Sequence, residues 1–168
     1  MKRYTLAVLV RNHFGVLNRI TSMFRRRQFN IRALTVSETE TNLYSRITVI
    51  FEGEDDMAEQ LINQLYKLPD VCAIKEMQAE DSISCELMLI KMRNTDTDRE
   101  NILSVAKKYK AEIVDCTRDA LIIRITDDSA CLDNFVDAMR EYTILEICRT
   151  GVVSLERSAS TIREVAVK

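Results

Sequence analysis

The sequence predicts an α+β chain made of two ferredoxin-like βαββαβ domains in tandem. Three observations carry this. Short apolar runs with a period of two alternate with longer runs whose apolar residues recur at i, i+3 and i+4. The order strand, helix, strand, strand, helix, strand is written twice. A polar join, Gln78-Ala79-Glu80-Asp81-Ser82, separates the copies. The expected domains are therefore residues 1–78 and 82–157. A charged, weakly periodic tail over 158–168 follows, either loosely held or docked on a partner.

In the first copy, residues 4–10 read as a strand. Residues 16–28 read as a helix with Val16, Leu17, Ile20, Met23 and Phe24 on one face. Strands follow at 31–39 and 43–52, the second with Leu43, Ile47, Val49 and Phe51 alternating toward one side. Residues 55–67 make a helix that buries Ala58, Leu61, Ile62 and Leu65, and Pro69 stops it. The last strand is 71–77. The second copy places strands at 84–92, 112–116, 121–126 and 144–153, with helices at 98–108 and 129–141. Thr97 and Glu100 have capping-box spacing, and Ser129 is positioned to cap a helix that buries Leu132, Phe135, Val136 and Met139.

The turn Asn12-His13-Phe14-Gly15-Val16-Leu17 is the best candidate for function. A strand enters it and a helix leaves it. Gly15 is one of three glycines in the chain, and glycine permits φ > 0 and close approach to the backbone. The helix N-terminus points unpaired N–H groups and the positive end of its dipole outward, which suits a carboxylate. Asn12 adds a side-chain donor and acceptor. The second copy has Arg93-Asn94-Thr95-Asp96-Thr97 at this place, with no glycine and an added acid, so only the first copy is expected to hold such a ligand.

Other chemistries find little support. The net charge of −2 gives no reason to expect nucleic acid or an acidic membrane as a partner. No apolar run is long enough to span a bilayer, and Met1-Lys2-Arg3 leads into a strand pattern without a secretory h-region. The five cysteines, Cys72, Cys85, Cys116, Cys131 and Cys148, are odd in number, widely spaced and without CxxC, which favours reduced thiols in a cytoplasm over disulfides or zinc. His13 is the single histidine, in a turn with no evident orienting carboxylate nearby, and reads as an exposed turn residue. No catalytic residue and no metal site is expected. GxGxxG and GxxxxGK[ST] are absent. Arg25-Arg26-Arg27 complements a helix C-terminus, and the first strand lacks the stacking aromatics of an RNA-recognition module.

The residues then become recognisable. Asn12-x-x-Gly15-Val16-Leu17-x-Arg19-Ile20, Phe24-x-x-Arg27-x-Phe29-Asn30-Ile31 and Leu34-Thr35-Val36 together resemble the ACT domain of acetohydroxyacid synthase (acetolactate synthase) small subunits. The likeness continues through Ser45-Arg46-Ile47-Thr48 and Gln60-Leu61-x-x-Gln64-Leu65-x-Lys67-Leu68-x-Asp70-Val71. It resumes at Glu86-Leu87-Met88-Leu89-Ile90-Lys91 and at Arg149-Thr150-Gly151-Val152-Val153-Ser154-Leu155. Phe-Asn-Ile and the Arg-Thr-Gly block are the more specific parts.

The resemblance implies a subunit that does no chemistry itself. It implies binding to a large catalytic subunit, activation of that subunit, and feedback inhibition by valine or a related branched-chain amino acid. Thiamine diphosphate, Mg and FAD are expected in that partner and no cofactor in this chain, which has no Gly-Asp-Gly segment. Pairing of two copies through the ACT domain, with the effector at their interface, is also implied. On this reading the N–H groups of Gly15, Val16 and Leu17 hold the effector carboxylate, the Asn12 amide holds carboxylate or ammonium, and Asn30 with the Ile31 backbone of a neighbouring copy completes the ammonium contacts. Leu17, Leu34 and Val36 either line the side-chain pocket or belong to the core. Asn30 has a second reading, since asparagine after a helix end readily adopts αL. His13-Phe14 departs from the smaller, more polar residues common at those positions, so Phe14 could alter access. Three further readings stay open: a tandem ACT regulator acting through a protein partner, an enzyme on the same fold, and an RNA-binding module.

Overall fold

In the computed structural model, which describes residues 2–164, the chain divides into two compact units. The first combines Met1–Ser84 with Val152–Lys168, and the second is Cys85–Gly151. The second unit is thus inserted between a strand and the C-terminal segment of the first.

The first unit runs β1 (Lys2–Arg11), α1 (Val16–Arg26), β2 (Ile31–Glu38), β3 (Tyr44–Gly53), α2 (Asp55–Leu65) and β4 (Val71–Glu76). Its sheet has the order β2-β3-β1-β4, with every pair antiparallel. Period-two alternation sends Tyr4, Leu6, Val8 and Val10 of β1, with Ile47, Val49 and Phe51 of β3, toward the helices. There they meet Val16, Ile20 and Phe24 of α1 and Ala58, Leu61 and Leu65 of α2. Phe51 stacks on Tyr4 and takes the edges of Phe24 and Phe29.

The second unit repeats the order with β5 (Ser82–Arg93, crossing from the first unit), α3 (Arg99–Lys108), β6 (Glu112–Cys116), β7 (Ala120–Asp127), α4 (Ser129–Met139) and β8 (Ile144–Arg149). Its sheet order, β6-β7-β5-β8, is that of the first sheet read one repeat later. Met88, Ile90, Met92, Leu121, Ile123 and Ile125 pack on Ile102, Ala106, Leu132, Phe135 and Met139. The α+β class and the two ferredoxin-like units therefore stand as the periodicity predicts.

Several local expectations give way. The strand expected over 144–153 is broken: Gly151 takes φ 80°, ending β8 and redirecting the chain into a separate strand, β9 (Val153–Glu156), which pairs with β5. The Thr97–Glu100 capping box does not form. Asp98 is the residue before α3, its side chain caps nothing there, and Thr95 instead exchanges bonds with Asp98, 2.7 Å to the carboxylate and 3.2 Å from its N–H. Asp128, not Ser129, caps α4, accepting from the Cys131 N–H at 2.7 Å. Ser129 donates to buried Glu86 at 3.0 Å.

The segment from Val152 onward departs most from expectation. It groups with the first unit, while β9 within it pairs with β5. Val152, Ser154 and Ile162 are buried. Ile162, in a single 3-10 turn at Ile162–Glu164, joins Ala7, Leu9, Ala73 and Met77 on the helix-free face of the first sheet. The tail expected over 158–168 is therefore docked on its own chain as far as Glu164, and its last four residues lie outside the described ones.

Candidate functional site

The candidate site is the β1–α1 turn. β1 ends at Arg11, whose N–H donates to the Asp70 carbonyl at 2.8 Å, and Asn12 N–H donates to the Leu43 carbonyl at 2.8 Å. Gly15 then takes φ 83°, ψ −3°, and opens α1. This left-handed conformation is the one that glycine adopts without cost, and a Cβ built there meets nothing within 4 Å. The space in front of the turn is open.

No side chain caps α1, and its first turn carries no acid. The Val16 N–H, expected to face a ligand, donates to the His13 carbonyl at 3.3 Å. Among the described residues the N–H groups of Gly15 and Leu17 have no acceptor. Backbone donors at the positive end of an 11-residue helix, those of Gly15 and Leu17 among them, are thus left for an anion.

The Asn12 side chain is held rather than free. Its Nδ2 donates to Glu38 Oε1 and to the Asn42 carbonyl, both at 3.0 Å. These two bonds fix the amide. Glu38, at the end of β2, brings to the turn a carboxylate that no local motif marks. A carboxylate there complements an ammonium as the helix end complements a carboxylate.

His13 also differs from expectation. Its Nδ1 lies 3.5 Å from Asp70 Oδ1, and Arg19 Nη1 lies 2.6 Å from Asp70 Oδ2. Asp70 is buried and joins the turn, α1 and the segment before β4. The carboxylate that orients His13 is 57 positions away in sequence, which is why local reading misses it.

Leu17 and Leu43, which periodicity assigns to the core, are 42 % and 67 % exposed, and Phe14 is fully exposed. Val36 is also exposed, whereas Leu34 packs against the core. Phe14, Leu17, Val36 and Leu43 thus present apolar side chains to solvent.

Asn30 and Ile31 lie elsewhere. Ile31 begins β2 opposite Phe51, whereas Glu38, which holds Asn12, ends β2 opposite Ser45. At about 3.3 Å per residue the strand separates these ends by roughly 20–25 Å. Within one chain Asn30 and Ile31 therefore do not meet Asn12 and Gly15. Asn30 is exposed and is not the left-handed residue after α1; that residue is Gln28, with φ 57°. Among the described residues no group of three potential metal ligands is found, and no helix is long and apolar enough to cross a membrane.

Comparison with known proteins places the fold within a family. Residues 6–73 match the family model for the AHAS small subunit-like ACT domain, and residues 85–158 match that for the small subunit of acetolactate synthase. The chain is 43 % identical over 155 residues to the probable acetolactate synthase small subunit of Archaeoglobus fulgidus, covering 92 % of this chain and 97 % of that one. It is 37 % identical to the acetolactate synthase small subunit of Bacillus subtilis, covering 94 % and 91 %. The crystal structure of the acetolactate synthase small subunit from Thermotoga maritima superposes with a TM-score of 0.87 at 31 % identity, covering 95 % of this chain and all of that one. With two matched family models, full-length relatives and a shared fold, the chain belongs to the acetolactate synthase small-subunit family.

Proposed function

We propose that this chain is a non-catalytic regulatory subunit that binds the large acetolactate synthase subunit, raises its activity and makes it sensitive to valine. The observation that carries the regulatory part is the uncapped, glycine-opened end of α1, with the Gly15 and Leu17 N–H groups unengaged beside a fixed Asn12. An amino acid carries one anionic and one cationic group. The helix end suits the first, and Asn12 with Glu38 suits the second. Valine's side chain would lie against Leu17, Leu43 and Val36.

The distance between the Asn12 and Asn30 ends of β2 supports a homodimer. β2 is an edge strand with one neighbour. Antiparallel pairing of two such edges about a two-fold axis would bring Asn30 and Ile31 of one copy beside Asn12 and Gly15 of the other. Effector binding would then depend on dimer geometry, and inhibition requires tighter binding to the inhibited arrangement, typically by about 1–3 kcal/mol. Thiamine diphosphate, Mg and FAD would reside in the catalytic partner, and the setting would be cytoplasmic, in keeping with five free cysteines.

Reconstitution tests the proposal. Acetolactate formation by a large subunit should rise when this chain is added and fall again with valine. No stimulation by the added chain would reject the regulatory reading.

A further inference from the structure

The two sides of the β2–β3 turn, residues 39–43, are held by different parts of the first unit. On one side, Asn12 uses the Asn42 and Leu43 carbonyls of this turn and the Glu38 carboxylate just before it. On the other side lies the C-terminal segment. Arg163 forms an ion pair with Glu40 and stacks its guanidinium over the Tyr44 ring, 5.9 Å from its centroid. Ile162 is buried beside Tyr44 and Leu9. Upstream, the Ser154 carbonyl accepts from Arg46 Nη2 at 2.8 Å, Glu156 pairs with Lys75, and Arg157 N–H donates to the Asp81 carbonyl at 2.8 Å.

Between this segment and the sheet is a cavity of about 530 Å³, lined in part by Glu38, Arg46, Thr161 and Arg163. Glu38 thus belongs both to the cavity wall and to the hydrogen bond that fixes Asn12. Within the turn, the Thr39 N–H donates to the Tyr44 carbonyl at 3.0 Å and the Thr41 N–H to Thr39 Oγ1 at 3.4 Å. Thr39 Oγ1 bridges to the Thr41 and Tyr44 carbonyls, and the Thr41 hydroxyl is buried without a partner. Beyond these local bonds, residues 39–43 are held from outside by Asn12 on one side and Arg163 on the other.

We propose that Ile162 and Arg163 are positioning residues for the effector seat: the C-terminal segment straps the β2–β3 turn so that its carbonyls and Glu38 hold Asn12 in binding orientation. This rests on the seat reading above and extends it to residues that no effector would touch. When the strap lifts, Glu40 and Tyr44 lose their clamp, the turn relaxes, and Asn12 loses the acceptors that orient it. Effector affinity then falls although every residue of the seat is intact.

The test uses the full-length chain and valine titration calorimetry. The clamp is removed from either side, by Arg163→Ala and by Glu40→Gln, and Ile162→Ala loosens the strap further. Each should weaken valine binding by about 5-fold or more, the lower range of allosteric coupling. Arg163→Lys, which keeps the charge opposite Glu40, should retain most of the affinity. Arg163→Ala and Glu40→Gln combined should cost no more than either alone. A strap that served stability only would lower the melting temperature and leave the dissociation constant unchanged, which overturns the inference. Asn12→Ala distinguishes the two levels. If it weakens binding and the strap variants do not, the strap idea fails and the seat stands. If it too leaves valine binding unchanged, the seat reading fails and the strap falls with it.

Discussion

Arg19 on α1 and Asp70 before β4, 51 positions apart in sequence, form one ion pair with Nη1 2.6 Å from Oδ2. Asp70 also faces His13, and its carbonyl receives the Arg11 N–H, so a single buried residue anchors both ends of the Asn12–Gly15 turn. These contacts tie the turn to a segment distant in sequence. Asp70→Asn should cost about 1 kcal/mol, since the Arg19 side chain is half exposed and such pairs are weak. That corresponds to a fall of about 2–4 °C in melting temperature, read by thermal denaturation. The valine concentration for half-inhibition should rise alongside.

Gly15→Asp should abolish valine inhibition and leave activation of the large subunit largely intact. The variant places a negative charge where the effector carboxylate is expected. The side chain meets open space, so only backbone strain at φ 83°, about 1–2 kcal/mol, opposes folding. Gly15→Ala separates strain from charge and should keep part of the inhibition. Inhibition curves of the reconstituted enzyme read both.

Phe14→Ser should leave stability within about 0.5 kcal/mol, because the ring is fully exposed. If Phe14 guards access to the seat, the ratio of inhibition constants for valine, leucine and isoleucine should change. Selection by side-chain size there is worth about 1–3 kcal/mol per methylene.

Glu86 and Arg149 set an acid limit on the second unit. Arg149 Nε and Nη2 reach the two Glu86 oxygens at 2.9 and 2.7 Å, and Nη1 reaches Asp133 at 2.6 Å. Burial pushes the Glu86 carboxyl upward, but Arg149, Ser129 and the Gly151 N–H together hold it below its ordinary value of 4.5. A depressed carboxyl contributes stability that is complete above pH 4.5 and is lost as pH falls through the lower folded value. Glu86→Gln should lower stability at neutral pH by about 3 kcal/mol, the low end for breaking a buried pair. Its melting temperature should also vary less than the wild type's between pH 5 and about pH 3.

Tyr4 sets the corresponding alkaline limit on the first unit. Its hydroxyl bonds to Asp55, and that bond, with burial and the charges of Asp55 and Glu76, pushes the phenol up to about 12. The neutral phenol is favoured in the folded state, so this contribution is complete below pH 10 and is lost as pH rises toward about 12. Phenolate absorbance should show a late titration step that Tyr4→Phe removes.

Much of this arrangement was legible in local pattern. The switch from period two to 3.6 places both sheets and four helices, and Gly15 marks the helix opening because only its neighbours decide that geometry. What pattern missed depends on contacts distant in sequence. His13 finds Asp70 only when β1 and β4 pair. The strap is held by Val152, Ser154 and Ile162, whose irregular spacing has no period to detect. Leu17 and Leu43 fit the apolar rhythm yet are exposed beside the candidate site, where the local pattern is overridden. Arg149-Thr150-Gly151 was distinctive as a motif, and the structure gives its reason. The arginine neutralises Glu86, Thr150 bonds to the Leu87 carbonyl, and Gly151 makes the bend that sends the chain back to the first unit.

A crystal structure of the dimer grown with valine is the most direct test. The account predicts an amino acid with its carboxylate on the Gly15 and Leu17 N–H groups, its ammonium near Asn12, and Asn30 of the second copy closing the site. Valine bound away from the start of α1 would contradict it.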